Sequence, residues 1–507
     1  MPTNSLHNSA VPSLIGKQTR KNAKPLQKLD KKKKPLVASQ LKQLANSHSK
    51  NPSQQPATNS QQKTATSNNK NKTSDKTQTS KGYVKIVREL NQPTPKLPRT
   101  GKNCFQWMID PVDEKEFFST IWEQQPLLIS RNDPNYYKKL FSSPIFNNIL
   151  QKNPIQFTEN LDITSYKDGK RETHNPEGRA YPAVVWDYYK NQGCSVRMLN
   201  PQTYSTPIWR LCSALQDYFH SFTGCNMYLT PPDSQGFAPH FDDIEAFVLQ
   251  IEGSKLWKCV CATGNFNQNE IRGPPALTVA LQPGDLLYFP RGWVHQAASC
   301  DGKHSLHLTI STYQQHSWAT LLAAALPTAL ANIPYMRQGL PRSVFSQSPK
   351  ELGEAASELL ASLPPLDLKV GLDTLARNLL HSSLPPCLSP EEKAQSALTT
   401  SSKWGEPGPT FKSTTLIRLV RRHCCRVVNE AGQLRLYHNL ANSRVYQEKE
   451  PQYVELEADL SEAIHFLNCQ YPQWTPISAV PPRGDVEDKV YIANELFKQG
   501  ILLAKNS

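Results

Sequence analysis

Between about residues 180 and 315 the chain is a succession of short apolar runs separated by Pro and Gly turns: AVVWDYY, CSVRML, CNMYLTPP, FVLQIEG, KLWKCV, LLYFP, WVHQAAS and HSLHLTIST. Short runs at this spacing predict strands of a β-sandwich or barrel. The last one alternates strictly. Leu306, Leu308 and Ile310 interleave with Ser305, His307, Thr309 and Ser311, so one face is oily and the other polar. In a closed barrel holding a charged guest the polar face points inward; on an edge strand it faces water.

The flanking segments change period. Phe117, Phe118, Ile121 and Trp122 recur at helical spacing after Asp113, a candidate N-cap, and Pro126 to Ile129 then begins a strand, so order is expected from about Gly101. From residue 317 to 395 the pattern is helical. Ser348-Pro349-Lys350-Glu351 is a capping box with Pro at N1, and Leu368, Leu372, Leu375, Ala376 and Leu379 mark one face of a later helix. Residues 388 to 412 have linker composition. Beyond them lie a basic strand-like stretch (Leu416 to Val428), a second strand (Leu434 to Tyr437) and two helices. One helix carries Leu460, Ala463, Ile464 and Leu467 on a side; the other carries Val486, Val490, Ala493 and Phe497 and ends at Gly500.

Charge adds a further division. Residues 1–81 hold 16 Lys and Arg against 2 Asp and Glu, which accounts for the whole formal charge of +14, and the remaining residues sum to zero. This Lys-, Asn-, Gln- and Ser-rich tail is expected to be disordered. Its Lys31–Lys34 run reads as a nuclear-import or RNA-phosphate signal, against the plainer reading of a solubilising tail. The eleven cysteines show no paired zinc spacing, and Cys259, Cys261, Cys424 and Cys425 sit in apolar runs as buried thiols. No apolar stretch is long enough to span a bilayer, so no membrane is expected as a partner. The expected divisions are a basic tail (1–100), a catalytic barrel with N-terminal helices (101–316), a helical module (317–395), and a linker with a small terminal domain (396–507).

The chemistry concentrates in residues 239–260, PHFDDIEAFVLQIEGSKLWKCV. His240 and Asp242 are two apart, and would share one face if a strand ran through Phe241. Alone, the pair reads equally as a satisfied polar pair in a loop. His295 adds a second imidazole, and two imidazoles with one carboxylate form the facial triad of non-haem Fe(II) oxygenases. Lys255, expected across a hairpin from the His240–Asp242 strand, reaches toward the same cavity. A buried ammonium needs an anion, and the distal carboxylate of 2-oxoglutarate is one. A zinc or manganese cupin and a non-enzymatic scaffold with a vestigial barrel are the alternatives; the lysine argues against the first and the intact ligand spacing against the second.

HFDDIEAFVLQIEGSKLW, PRGWVHQA and HSLHLTIST together resemble the JmjC domain of the ribosomal oxygenase family, in its nucleolar histidyl-hydroxylase and lysine-demethylase branch. The likeness covers roughly residues 100 to 507. It implies a JmjC double-stranded β-helix, then a helical dimerisation module and a C-terminal winged helix. It further implies His240, Asp242 and His295 as iron ligands and Lys255, Asn226 and Tyr228 as 2-oxoglutarate contacts. Arg197 and Ser311 match positions at the peptide end, with His307 outside the ligand set. Phe241 stands where the family is expected to carry tyrosine. The implied activity is hydroxylation of a histidine in a ribosomal protein, with demethylation of a histone lysine as the alternative. A homodimer in the nucleus, and there the nucleolus, is expected. Residues 451–507 hold 8 acidic and 4 basic residues, which disfavours tight duplex-DNA binding by the winged helix. Arg418, Arg421, Arg422 and Arg426 read as a solvated basic face, or an RNA or ribosomal-protein patch.

Overall fold

The computed structural model describes residues 85–88, 100–260, 276–300, 302–398, 410–430, 432–481 and 485–506. The Lys31–Lys34 run, Cys261 and residues 399–409 of the expected linker lie outside them. Order begins earlier than Gly101. Strand β1 (Lys85–Arg88) runs parallel to a strand forty residues on, β2 (Leu127–Ser130), with Lys85 opposite Leu127. Four residues in a polar context carry no legible pattern; the open edge of β2 is what orders them.

Helix α1 (Gly101–Ile109) starts on the Thr100 side chain, and α2 (Glu114–Thr120) on Asp113, whose carboxylate accepts from Lys115 and Glu116 as expected. Helix α2 stops at Thr120, yet Phe117 and Ile121 are both fully buried. Helix α3 (Ser143–Lys152), β3 (Leu161–Lys167) and β4 (Lys170–Thr173) follow. AVVWDYY, expected as a strand, is helix α4 (Pro182–Lys190). Pro182 supplies a pre-set N1 residue, and Trp186 donates to Asn147 on α3 (2.8 Å), a helix-on-helix contact that a run without alternation cannot announce.

The other expected strands form, joined by one that was not expected, β9: β5 (Ser195–Leu199), then helix α5 (Thr206–Phe219), β6 (Thr223–Thr230), β7 (Glu245–Gly253), β8 (Lys255–Val260), β9 (Leu277–Leu281), β10 (Leu286–Phe289), β11 (Val294–Ser299) and β12 (Ser305–Thr312). They make a nine-stranded sheet, β1-β2-β10-β7-β12-β6-β5-β3-β4, facing a three-stranded sheet, β11-β8-β9, in a double-stranded β-helix. Side-chain alternation gives the large sheet two different faces. Leu306, Leu308, Ile310, Met227 and Phe247 join the aromatic core that includes Phe105 and Phe117. The opposite face contributes Ala246, Val248, Leu287 and Phe289 to a second core shared with Trp257 and Cys259 of the small sheet. The polar positions of β12 lie on this inner face, since His307 pairs with Tyr228 and Gln250, and Thr309 with Asn226 and Val248.

Strands β7 and β8 are not a hairpin, contrary to expectation: the chain leaves one sheet at Gly253 and enters the other at Lys255. Gly253 adopts φ +63°, and a Cβ there would lie 1.7 Å from the His304 carbonyl oxygen, so only glycine makes this corner.

Helices α6 (Trp318–Ala331), α7 (Pro349–Ala361) and α8 (Lys369–Ser382) form the helical module, and α7 carries the expected capping box. The expected apolar face of α8 is not its buried one. Leu372 is exposed, whereas Gly371, Asp373 and Leu380 are buried, because Gly371 lets α8 close onto Ala325 and Leu321 of α6. The expected linker is partly structured: α9 (Pro390–Ala394) has its own capping box from Ser389 and Glu392.

The Leu416–Val428 stretch is two strands in two sheets, β13 (Leu416–Leu419) and β14 (Cys425–Glu430). Strands β15 (Gln433–His438) and β16 (Tyr453–Leu456), helix α10 (Ala458–Gln470), β17 (Thr475–Pro476), helix α11 (Val486–Lys498) and β18 (Leu502–Lys505) complete the winged helix. Ala463, Ile464, Leu467, Ala493 and Phe497 are buried as expected; Val486 is exposed. Of the basic cluster only Arg422 is exposed; the other three arginines are tied into ion pairs. Arg421 bonds Asp217 on α5 (2.9 Å) and Glu392 on α9 (2.7 Å), Arg418 bonds Glu392 (3.1 Å), Arg426 bonds Asp373 on α8 (2.7 Å), and Arg422 donates to the Tyr471 carbonyl. Three of these arginines tie the terminal domain to the elements before it. No helix of the described residues is long and apolar enough to cross a membrane.

Candidate metal centre

The segment holding His240 and Asp242 is a loop, not a strand. Only His240 pairs, in an isolated bridge with His295, their main chains exchanging bonds of 3.1 and 2.8 Å. The Asp242 carbonyl accepts from Gly292 N (3.0 Å). Tertiary contact with β11 thus replaces the strand alternation expected to align the two residues.

Side chains of His240, Asp242 and His295 converge, with one ligand atom from each lying within 4.8 Å of the others. Asp242 Oδ2 is 3.9 Å from His240 Nε2 and 3.7 Å from His295 Nε2. His240 Nδ1 lies 2.8 Å from the Ala238 carbonyl, and His295 Nδ1 lies 3.0 Å from that of Trp293. A carbonyl only accepts, so each Nδ1 carries the proton and each Nε2 lone pair is left facing Asp242. Burial, then the His240 charge, pushes His295 down to about 4, which keeps it neutral. Two imidazoles and a carboxylate on one side of a common point suit a divalent metal that keeps open positions.

Arg291 holds the loop in place. It bonds Asp243 (2.5 Å) and the Tyr313 carbonyl (2.6 Å), and its main-chain N–H donates to the buried Glu245 (3.3 Å). Phe289 covers the His295 ring at 4.3 Å.

Lys255, Trp257 and Cys259 point between the sheets, opposite Ser299, Ala297 and His295 on β11. The Lys255 ammonium is buried, donates to Thr230 Oγ1 (3.0 Å), and has no carboxylate partner among the described residues. Burial lowers its pKa to about 7. Two ring nitrogens, Trp257 Nε1 and His307 Nδ1, are likewise buried without a hydrogen-bond partner among the described residues. Around Lys255 the described residues therefore offer hydrogen-bond donors and a positive charge with no carboxylate paired to it, which fits a dicarboxylate.

The Tyr228 hydroxyl interacts with the side chains of Asn226 and Arg197; burial and the Asp242 charge keep it protonated. Arg197 is not the free cation that its assignment to the peptide end suggested. It forms an ion pair with Asp162, bonding through Nε at 3.0 Å and also through Nη2. Ser311 lies opposite Gly224 and Ala246, four residues and about 13 Å along β12 from His307. Phe237 was missed by the sequence reading, yet it contacts Tyr228 (5.5 Å), His240 (6.3 Å) and the Arg197 guanidinium (5.5 Å). A lone aromatic in a loop gives no periodic signal.

Comparison with known proteins agrees with this geometry. The JmjC domain family matches residues 197–321, and the family described as ribosomal oxygenase 1, C-terminal winged helix domain, matches residues 384–507. Ribosomal oxygenase 1 of Danio rerio is 41% identical over 436 residues, covering 79% of each chain. The protein named bifunctional lysine-specific demethylase and histidyl-hydroxylase NO66 in Culex quinquefasciatus is 43% identical, covering 80% of this chain and 67% of its own. Ribosomal oxygenase 1 of Homo sapiens is 39% identical, covering 83% and 70%.

Proposed function

The chain belongs to the ribosomal oxygenase 1 family, and from that premise we propose that it is an Fe(II)- and 2-oxoglutarate-dependent protein oxygenase that hydroxylates a histidine side chain of a ribosomal protein. The observation that carries the reading is the convergence of His240, Asp242 and His295 on the side of the fold that also buries Lys255, which has no carboxylate partner among the described residues. These three residues would hold Fe(II), which, with 2-oxoglutarate and dioxygen bound, supplies the oxidising chemistry that places a hydroxyl on an unactivated C–H carbon.

The protein's part is positioning. The two Nδ1–carbonyl bonds fix imidazole tautomer and orientation, and Arg291 fastens the loop that presents Asp242. Lys255, held by Thr230, would pair with the far carboxylate of 2-oxoglutarate. Tyr228, kept protonated, would donate a hydrogen bond near the metal end with Asn226 beside it. Phe289 and Trp257, buried in one apolar cluster, would help to exclude water from this space.

Relatives named as lysine-specific demethylases support a second reading, removal of a methyl group from a histone lysine by the same oxidising chemistry. The Arg197–Asp162 pair removes the repulsion that a lone Arg197 would have exerted on a methylated ammonium. The discriminating experiment is mass spectrometry of iron-loaded protein with ribosomal histidine peptides and methylated histone peptides at equal concentration. A stable gain of one oxygen on a ribosomal peptide supports the first reading; formaldehyde release from histone peptides alone reverses it.

The helical module leaves Trp318 (76% exposed), Leu340 (77%), Phe345 (100%) and Leu360 (52%) uncovered in the single chain, which supports a homodimer through this module. The basic run at Lys31–Lys34 supports nuclear import, nucleolar residence and contact with RNA phosphates.

A further inference from the structure

One face of the large sheet carries a row of side chains from the metal centre to an open edge. His307 on β12 pairs with Tyr228 on β6, Tyr228 with Arg197 on β5, and Arg197 with Asp162 on β3. Beyond β3 lies β4, whose Arg171 is opposite Tyr166; directly paired residues share a face, so Arg171 lies on the same side as Asp162. Strand β4 is the last of the sheet and all four of its residues are exposed. The two guanidiniums meet over one ring. Arg171 lies 4.9 Å from the centre of Phe237 and Arg197 lies 5.5 Å from it, and Phe237 in turn contacts the ring of His240.

The charges in this row do not cancel. Arg197 is paired with Asp162, and the other Asp162 oxygen accepts from Asn175 (2.8 Å). Arg171 has no ion pair among the described residues. Its cation is stacked on the aromatic side chain that borders the metal ligand His240, at the exposed outer edge of the sheet.

We propose that Arg171 is a specificity-determining residue: it sets a charge filter on the peptide flanking the oxidised residue, favouring an acidic side chain or a bare main-chain carbonyl there and disfavouring a lysine or arginine. The inference rests on the protein-oxygenase reading above. The physical cause is direct. A guanidinium held in place by a ring loses little freedom on bonding a carboxylate or carbonyl oxygen, whereas a second cation brought beside it gains nothing and is repelled.

The test uses the full iron-loaded chain and a neutral-flanked histidine peptide, with a single Glu or Lys placed in turn at each of the three positions on either side. Wild type is expected to favour Glu over Lys in kcat/KM by about three- to fivefold at one of these positions, the scale of an exposed charge pair. R171K keeps the preference, R171A flattens it and R171E inverts it; high salt flattens it in wild type. The same ranking is read from affinities of fluorescently labelled peptides, which do not depend on turnover. Equal treatment of Glu and Lys at every position, or a preference that survives R171E, overturns the inference. Failure to oxidise any peptide while the affinity ranking still follows Arg171 counts instead against the oxygenase reading.

Discussion

The His307 imidazole lies flat against the Tyr228 ring, 4.9 Å centre to centre with 9° between their planes, and meets Trp257 edge-on at 5.4 Å. It is buried, and burial, then the Lys255 charge, holds it well below its ordinary value of 6.5. A base whose folded pKa is depressed binds fewer protons folded than unfolded, so it contributes stability above 6.5 that is lost as the pH falls below it. Metal-free protein is expected to weaken toward acid through this range, and His307→Phe, which keeps the stacking but cannot ionise, to lose part of that dependence. Urea titrations at a series of pH values measure it; an unchanged slope would count against a buried neutral imidazole.

Lys255 gives a second test of the same region, with the same sign in a higher pH window. Its folded pKa of about 7 lies below its ordinary 10.5, so co-substrate-free protein should gain stability as the pH rises from about 7 toward 10.5. Lys255→Met removes the gain and raises stability at neutral pH, because a buried charge with no partner is replaced by an apolar stem. The same change weakens 2-oxoglutarate binding by about 2–5 kcal/mol while leaving metal stoichiometry unchanged. Calorimetry of 2-oxoglutarate binding to wild type and variant decides the point.

Substituting alanine for His240, Asp242 or His295 removes one of three converging donors. Each variant is expected to lose bound Fe(II), read by elemental analysis after gel filtration, together with succinate formation. A variant that retains full metal content would displace that residue from the set.

Arg421 joins Asp217 and Glu392 across the junction of barrel and winged helix. Burial pushes Asp217 up to about 6 even with this partner. Arg421→Ala strands two half-buried carboxylates and should cost about 3–5 kcal/mol of stability in denaturant titration, the cost of breaking a buried pair. Were Arg421 a nucleic-acid contact instead, the variant would unfold like wild type and lose affinity for RNA.

Removing residues up to Gly82 should leave turnover of a short peptide intact and abolish nuclear enrichment. Starting the chain at Gly101 deletes β1 and its Lys85–Glu116 ion pair and bares the β2 edge, so that form is expected to be less stable and more prone to aggregate. Light scattering and thermal unfolding of the two truncated forms provide the comparison.

The sequence by itself determined those features that depend on neighbours along the chain. The alternation of Leu306, Leu308 and Ile310 with His307 and Thr309 fixed which face of β12 is polar, and the Asp113 and Ser348 caps fixed helix starts, because strand pleat and helix ends are local geometry. It also named the three metal-site residues, since residue type and a resemblance in sequence motifs sufficed. Tertiary structure decided how they are held. His240 and Asp242 are aligned by the bridge to His295 and by the bond to Gly292, some fifty residues away, and not by a shared strand. AVVWDYY became a helix because α3 offered it a surface, and Lys255 faces the metal site because a glycine corner carries the chain between sheets. The arginines of the terminal domain and Arg197 read alike as free charges in the sequence. Their carboxylate partners lie as far as 204 residues away, and only folding pairs them while leaving Arg171 without an ion pair among the described residues.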